Sequence, residues 1–149
     1  MPVKVLIVED NDDDYIFALR CLSNSGNAEY AVKRATTIGE SLFMLERNQF
    51  DVVLVDLSLP DSHGIDSFVS VFYRIPSTPI IILTGDDSEI TALEAIKHGA
   101  QDYLVKGRDI DKFIARSIQY AIGRSSKHKS IKTLDDLRLF IAEEKRMAH

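Results

Sequence analysis

The sequence predicts an α/β domain in which a parallel sheet carries helices on both faces. Three observations lead there. Apolar runs alternate five times with segments of helical periodicity. The runs at 52–55 and 80–83 are continuously apolar and mostly β-branched, as strands covered on both faces are. The first of these ends on a carboxylate, Asp56, and open α/β sheets bind their ligands at such C-terminal strand tips.

Val3 to Val8 is the first strand, broken in its apolar character only by Lys4. Five carboxylates then fall within residues 9–14. Asn11, Asp12, Asp13 and Asp14 suit a solvated helix cap, which favours the macrodipole. Glu9 and Asp10 still belong to the strand tip, and capping does not account for them. The first helix places Tyr15, Ile16, Leu19 and Leu22 on one face and stops near Ser25-Gly26-Asn27. Cys21 lies within that pattern and reads as a core thiol.

Tyr30 to Ala35 is a weaker strand whose alternation suits a sheet edge. The second helix begins at Thr36 or Thr37, with Glu40 as a capping-box partner and Leu42, Phe43 and Leu45 on its apolar side. Asn48 and Gln49 close it before the Asp56 strand. Pro60 then takes the chain out of the sheet, and Asp61 reads as a turn residue. A third helix carries Ile65, Phe68, Val69 and Phe72. Ile80 to Leu83 is the fourth strand and leads into Thr84-Gly85-Asp86-Asp87. The fourth helix has Ile90, Leu93, Ala95 and Ile96, with Gly99 as its C-terminal cap. Asp102 to Val105 is a short fifth strand ending on Lys106-Gly107. The fifth helix has Phe113, Ile114, Ser117, Ile118, Ala121 and Ile122 in register.

A polar basic linker is expected over 125–130, followed by an amphipathic helix from Thr133 to Met147 with Leu134, Leu137 and Ile141 on one side. The domain division is therefore 1–124 and 125–149. The later segment holds six Lys/Arg against four Asp/Glu.

The totals narrow the class. The chain has 149 residues, 45% hydrophobic, the size and composition of one globular domain. A net charge of -5 disfavours direct DNA binding, whose footprint is basic. No apolar run approaches the ~20 residues that span a bilayer, and no signal-peptide pattern opens the chain. With one cysteine, an intramolecular disulfide is impossible, so a reducing cytoplasm is the expected location.

In a parallel sheet, the strand tips share one edge. That edge collects Glu9, Asp10, Asp56, Thr84 and Lys106, each group from a different stretch of chain. Three carboxylates together call for a compensating cation, and oxygen-only ligands suit a hard one such as Mg2+. A carboxylate nucleophile beside a divalent metal, a lysine and a hydroxyl suits phosphoryl transfer onto Asp56.

Over residues 2 to about 124 the sequence resembles the receiver domain of two-component response regulators. The matching pieces are Val-Glu-Asp at 8–10, Leu-Val-Asp-Leu-Ser-Leu-Pro-Asp at 54–61 with Gly64, Leu-Thr-Gly at 83–85, and Gly-Ala-Gln-Asp-Tyr-Leu-Val-Lys-Gly at 99–107. The resemblance implies a flavodoxin-like (βα)5 three-layer sandwich with strand order 2-1-3-4-5. It implies Asp56 as the phosphoacceptor, with a histidine kinase or phosphotransfer protein as donor. It implies Mg2+, with Mn2+ as a substitute, on Asp10, Asp56 and the Ser58 backbone carbonyl, and on Glu9 through water. Thr84 and Lys106 would meet the phosphoryl group, and Tyr103 would be the aromatic switch partner of Thr84. Ser58 and Asp86 fall where the family tunes autodephosphorylation. The face of the fourth helix, fifth strand and fifth helix would bind a downstream protein, or a second copy.

Two departures stand out. The acidic pair is Glu-Asp where some members have Asp-Asp, and Gly107 replaces the Pro of many members, which puts the cis peptide often found there in doubt. Tyr103 as a plain core aromatic rivals its switch role, and His63 reads as a solvated loop residue. A haloacid-dehalogenase-like phosphatase also uses an Asp nucleophile and Mg2+, but it needs a second carboxylate where this chain has Ser58. No P-loop or dinucleotide fingerprint is present. About 25 residues follow the receiver, too few for a DNA-binding or catalytic effector. The chain is thus either a single-domain regulator acting by binding or a receiver excised from a larger regulator or hybrid kinase. The tail stripe would fold back or pair two chains.

Overall fold

The computed structural model describes residues 1–26 and 28–129, together with Arg138, Ile141 and Ala142. The order is β1 (Val3–Val8), α1 (Asp12–Ser23), β2 (Tyr30–Ala35), α2 (Ile38–Arg47), β3 (Val52–Asp56), β4 (Ser58–Leu59), β5 (Ser62–His63), α3 (Ile65–Arg74), β6 (Ile80–Thr84), α4 (Glu89–Lys97), β7 (Asp102–Val105) and α5 (Ile110–Lys129). β4 and β5 pair only with each other, as a small antiparallel hairpin. The other five strands form one parallel sheet in the order β2-β1-β3-β6-β7. Counting sheet strands alone, that is the expected order 2-1-3-4-5, so the fold is flavodoxin-like.

The continuous apolar runs follow from burial on both sides. Leu6, Val8, Val53, Val55, Ile80 and Ile82 face α2, α3 and α4, packing with Ile38, Phe68, Val71, Ala92 and Ala95. Their neighbours in sequence, Val5, Ile7, Val52, Leu54, Ile81 and Leu83, face α1 and α5, packing with Ala18, Leu22, Ile114 and Ile118. The period-2 alternation of side chains sends both sets into apolar surroundings.

Helix faces differ from expectation in four of the five helices. Ile16, Phe43, Leu93 and Phe113 are exposed, and Ile90 is 84% exposed. In α4 the buried stripe is Ala92 and Ala95, two residues on from Ile90 and Leu93 and so on nearly the opposite face. Two i, i+3 stripes of apolar residues look alike in sequence, and the sheet selects the one that allows close approach. Phe43 is covered instead by the Arg47 guanidinium, 3.5 Å from its ring centroid.

The start of α2 is capped twice. Thr37 accepts from the Glu40 N–H through its hydroxyl. Asp61, expected as a plain turn residue, reaches across from the β4–β5 hairpin. Its two oxygens accept from the Ile38 and Gly39 N–H groups at 2.9 and 3.0 Å. Three of the four otherwise unpaired first-turn donors are thereby matched by side chains.

The expected linker differs too. α5 continues without interruption through Lys129, because residues 125–129 contain Ser, Lys and His but no Gly or Pro to stop a helix. The amphipathic helix expected over 133–147 lies outside the described residues, except that Arg138, Ile141 and Ala142 are helical and exposed. No described helix is long and apolar enough to cross a membrane.

Candidate functional site at the strand tips

Parallel register brings the tips level. Val8 pairs with Val55, Asp56 with Leu83, and Thr84 with Val105. Glu9 and Lys106 therefore follow directly beside Asp56 and Thr84. Asp56, Glu9 and Thr84 are buried, Lys106 is half-buried, and Asp10 is exposed.

Lys106 sits among carboxylates. Its Nζ lies 2.7 Å from Asp56 Oδ2, 2.5 Å from Glu9 Oε1 and 3.1 Å from Asp14 Oδ2. The Glu9 contact is an ion-pair approach without hydrogen-bond angles, so Oε1 remains a buried acceptor with no hydrogen bond. Asp56 Oδ1 accepts from the Ser58 N–H at 3.0 Å. Burial, then a hydrogen bond shared with Asp56, pushes the Glu9 carboxyl up to about 8, against the pull of Lys106. For Lys106, burial favours the neutral amine, but the hydrogen bond to Asp56 and the attraction of Asp56 and Glu9 outweigh it and raise the ammonium above its ordinary value.

Glu9, Asp10 and Asp56 can each offer one oxygen, all within 4.8 Å of one another. A set made only of carboxylate oxygens fits a hard divalent cation, and Glu9 Oε1 is a buried acceptor with no hydrogen bond that a cation could satisfy in place of Lys106.

The expected residues thus divide. Glu9, Asp10, Asp56 and Lys106 converge. Thr84 is adjacent, but its hydroxyl donates to the Gly85 carbonyl at 3.1 Å. Ser58 contributes its N–H, with its side chain exposed. The Tyr103 hydroxyl donates to Glu89 Oε1. The side chain of Asp86 lies outside the described part of the structure. His63 is exposed.

Four residues that touch the expected set, Arg108 by way of Glu89, do not stand out in the sequence. Asp14 reads from the sequence as part of a solvated cap, yet it faces Lys106. The signal was available, since Asp14, Ala18 and Leu22 follow at i, i+4 and i+8 on the buried stripe of α1. Arg34, Glu89 and Arg108 act through contacts across the fold and left no local pattern.

Gly107 has φ +81, a region proline cannot enter, and every described peptide bond is trans. Replacing Pro by Gly here therefore gives the turn after Lys106 a different shape.

With the geometry in view, comparisons with known proteins agree. Residues 5–117 match the response regulator receiver domain, and the chain belongs to that family. It is a signalling domain of the two-component kind. LuxO of Vibrio cholerae is 36% identical over 91 residues, 61% of this chain but only 20% of LuxO. The chain thus spans about a fifth of that regulator's length. A receiver domain protein from Clostridium thermocellum superposes with a TM-score of 0.72 at 28% identity, covering 83% of this chain and 97% of that one. A response regulator from Burkholderia pseudomallei, solved with a phosphorylated aspartic acid, a calcium ion and citrate, superposes with a TM-score of 0.65 at 27% identity, covering 86% and 73%.

Proposed function

We propose that the chain is a phosphorylation-controlled receiver in which Asp56 accepts a phosphoryl group from the phosphohistidine of a histidine kinase or phosphotransfer protein. The observation that carries this is Asp56 itself, a buried strand-tip carboxylate 2.7 Å from Lys106 and bordered by an oxygen-donor cluster. The phosphorylated aspartic acid and calcium ion of the Burkholderia protein support the same chemistry here.

Asp56 Oδ1 is anchored by the backbone N–H of Ser58, whereas Oδ2 faces the Lys106 ammonium at the open side of the cluster. Oδ2 is therefore the nucleophile. It attacks phosphorus as the P–N bond breaks, and the departing imidazole nitrogen keeps the electron pair. The product is an acyl phosphate on Asp56. Asp10, Asp56 and the Ser58 carbonyl would hold Mg2+ or Mn2+, with Glu9 acting through water; the bound cation supplies neutralising charge to the phosphoryl oxygens. Lys106 transfers its pairing to those oxygens. Thr84 turns its hydroxyl from Gly85 toward them, and Tyr103 leaves Glu89 for the space vacated. The α4–β7–α5 face changes and binds a downstream protein or a second copy. Ser58 and Asp86 shape access of the water that later hydrolyses the bond. The absence of a carboxylate at Ser58 favours a signalling phosphoacceptor over an enzyme that turns over outside phosphoesters. Residues 1–124 constitute the receiver, and 125–149 an extension begun by the last turns of α5.

Labelling with acetyl phosphate in Mg2+ tests this. Wild type should incorporate one phosphoryl group, Asp56→Asn none, and Lys106→Ala should label more slowly. Stoichiometric label on the Asn variant would overturn the assignment.

A further inference from the structure

We propose that Arg34 is a positioning residue that sets the affinity of the strand-tip site for its divalent cation, acting through the backbone of Glu9. This rests on the reading of Asp56 as a phosphoacceptor beside such a cation.

The pairing of β1 with β2 ends at Val8 and Ala35. One residue beyond, the Glu9 N–H still donates to the Ala35 carbonyl at 2.9 Å. The Glu9 carbonyl is met by a side chain, Arg34 Nε, at 2.9 Å. That carbonyl belongs to the peptide joining Glu9 to Asp10. Glu9 is thus held at both its amide and its carbonyl by the end of β2. The two carboxylates that leave the chain on either side of that peptide belong to the acidic cluster.

Arg34 is itself held in place. Its guanidinium carbon lies 4.7 Å from the centroid of the Tyr15 ring, and one terminal nitrogen is 2.8 Å from Asp12 Oδ1. The other terminal nitrogen is buried and makes no hydrogen bond among the described residues. An unpartnered buried donor opposes stability, and the Asp12 side chain is 80% exposed, so that ion pair adds little. Stability is a poor reason for an arginine here. Placing Nε on the Glu9 carbonyl is a better one. Lysine lacks the planar fork that makes these contacts together.

The sign of the effect separates two roles. A positive charge beside a cation site repels the cation. If Arg34 acted only as a charge, neutralising it would tighten binding. If it positions the acidic pair, losing its geometry weakens binding, by the 10- to 100-fold typical of groups that orient metal ligands.

The test uses the full chain and its Arg34→Lys and Arg34→Met variants. Mn2+ binding is counted by electron paramagnetic resonance, with Mg2+ as competitor, and acetyl phosphate labelling is followed against Mg2+ concentration. Both variants should lose about tenfold in Mn2+ affinity. Both should label at the wild-type rate once Mg2+ is saturating. Melting curves identify the folded variants, and Arg34→Lys carries the test if the Met variant does not fold. Affinity within twofold of wild type, or tighter, in a folded variant would overturn the role of Arg34. So would a labelling defect that saturating Mg2+ does not repair. A wild-type chain that neither binds Mn2+ nor labels would instead remove the phosphoacceptor reading on which the role depends.

Discussion

Tyr103 and Glu89 share a hydrogen bond of 2.8 Å, and Arg108 donates to the same Glu89 oxygen at 3.0 Å. One carboxylate on the first turn of α4 thus gathers the aromatic ring of β7 and a guanidinium from the turn before α5. The bond to Glu89, then burial, holds the Tyr103 phenol above its ordinary value, while Arg108 acts the other way. Glu89→Gln removes a negative charge that opposes the phenolate, so the Tyr103 titration should fall toward about 10. Arg108→Ala leaves that charge uncompensated, so the titration should rise. Carbon-13 ring shifts of labelled tyrosine, followed against pH, read both. Movement in the same direction for the two variants would contradict the arrangement.

Asp61 should stabilise the fold from outside the helix it caps. Asp61→Ala should cost about 1 kcal/mol at neutral pH, measured by urea denaturation. Hydrogen bonds from the Gly39 and Ile38 N–H groups lower the Asp61 carboxyl below its usual value of 3.8. The stabilisation is therefore fully present above about pH 4 and is lost as pH falls through the depressed folded value. Wild type and variant should converge in stability as pH falls through that depressed value. A gap that persists there would assign the effect to something other than the ionised cap.

Two glycines with positive φ should respond differently to alanine. Gly99 has φ +125, and a Cβ there would lie 2.8 Å from Phe72 Cε2. Gly107 has φ +81 with nothing within 4 Å. Gly107→Ala should cost about 1 kcal/mol from backbone strain alone. Gly99→Ala adds a ring collision and should cost about 3 kcal/mol. Thermal midpoints of the two variants, compared with wild type, give the order. Equal losses would mean that Phe72 moves aside freely.

The sequence made the sheet legible because burial on both faces leaves no ambiguity in 52–55 or 80–83. It made Glu9, Asp10, Asp56 and Lys106 legible because parallel strands must end on a common edge. Helix faces were harder. Ile90 and Leu93 carry the same spacing as Ala92 and Ala95, and only the distance to the sheet chooses between them. Contacts between separate loops were hardest. Nothing near Asp61 in the chain announces Ile38, and nothing near Arg34 announces Glu9. Such pairs are products of the finished topology, which the order of residues encodes only through the strands that bring them together.

The alanine face of α4 has a mechanical consequence. Ala92 and Ala95 are its buried residues, and neither is long enough to interlock with the strands beneath. Of its bulky side chains, Ile90 and Leu93 are exposed, and Ile96 is partly buried against the core. A helix seated this way resembles a sled more than a gear. With Ile96 its one partly buried bulky apolar side chain, a shift along β6 and β7 would change few rotamers, which makes α4 the expected carrier of a displacement from the strand tips to the surface.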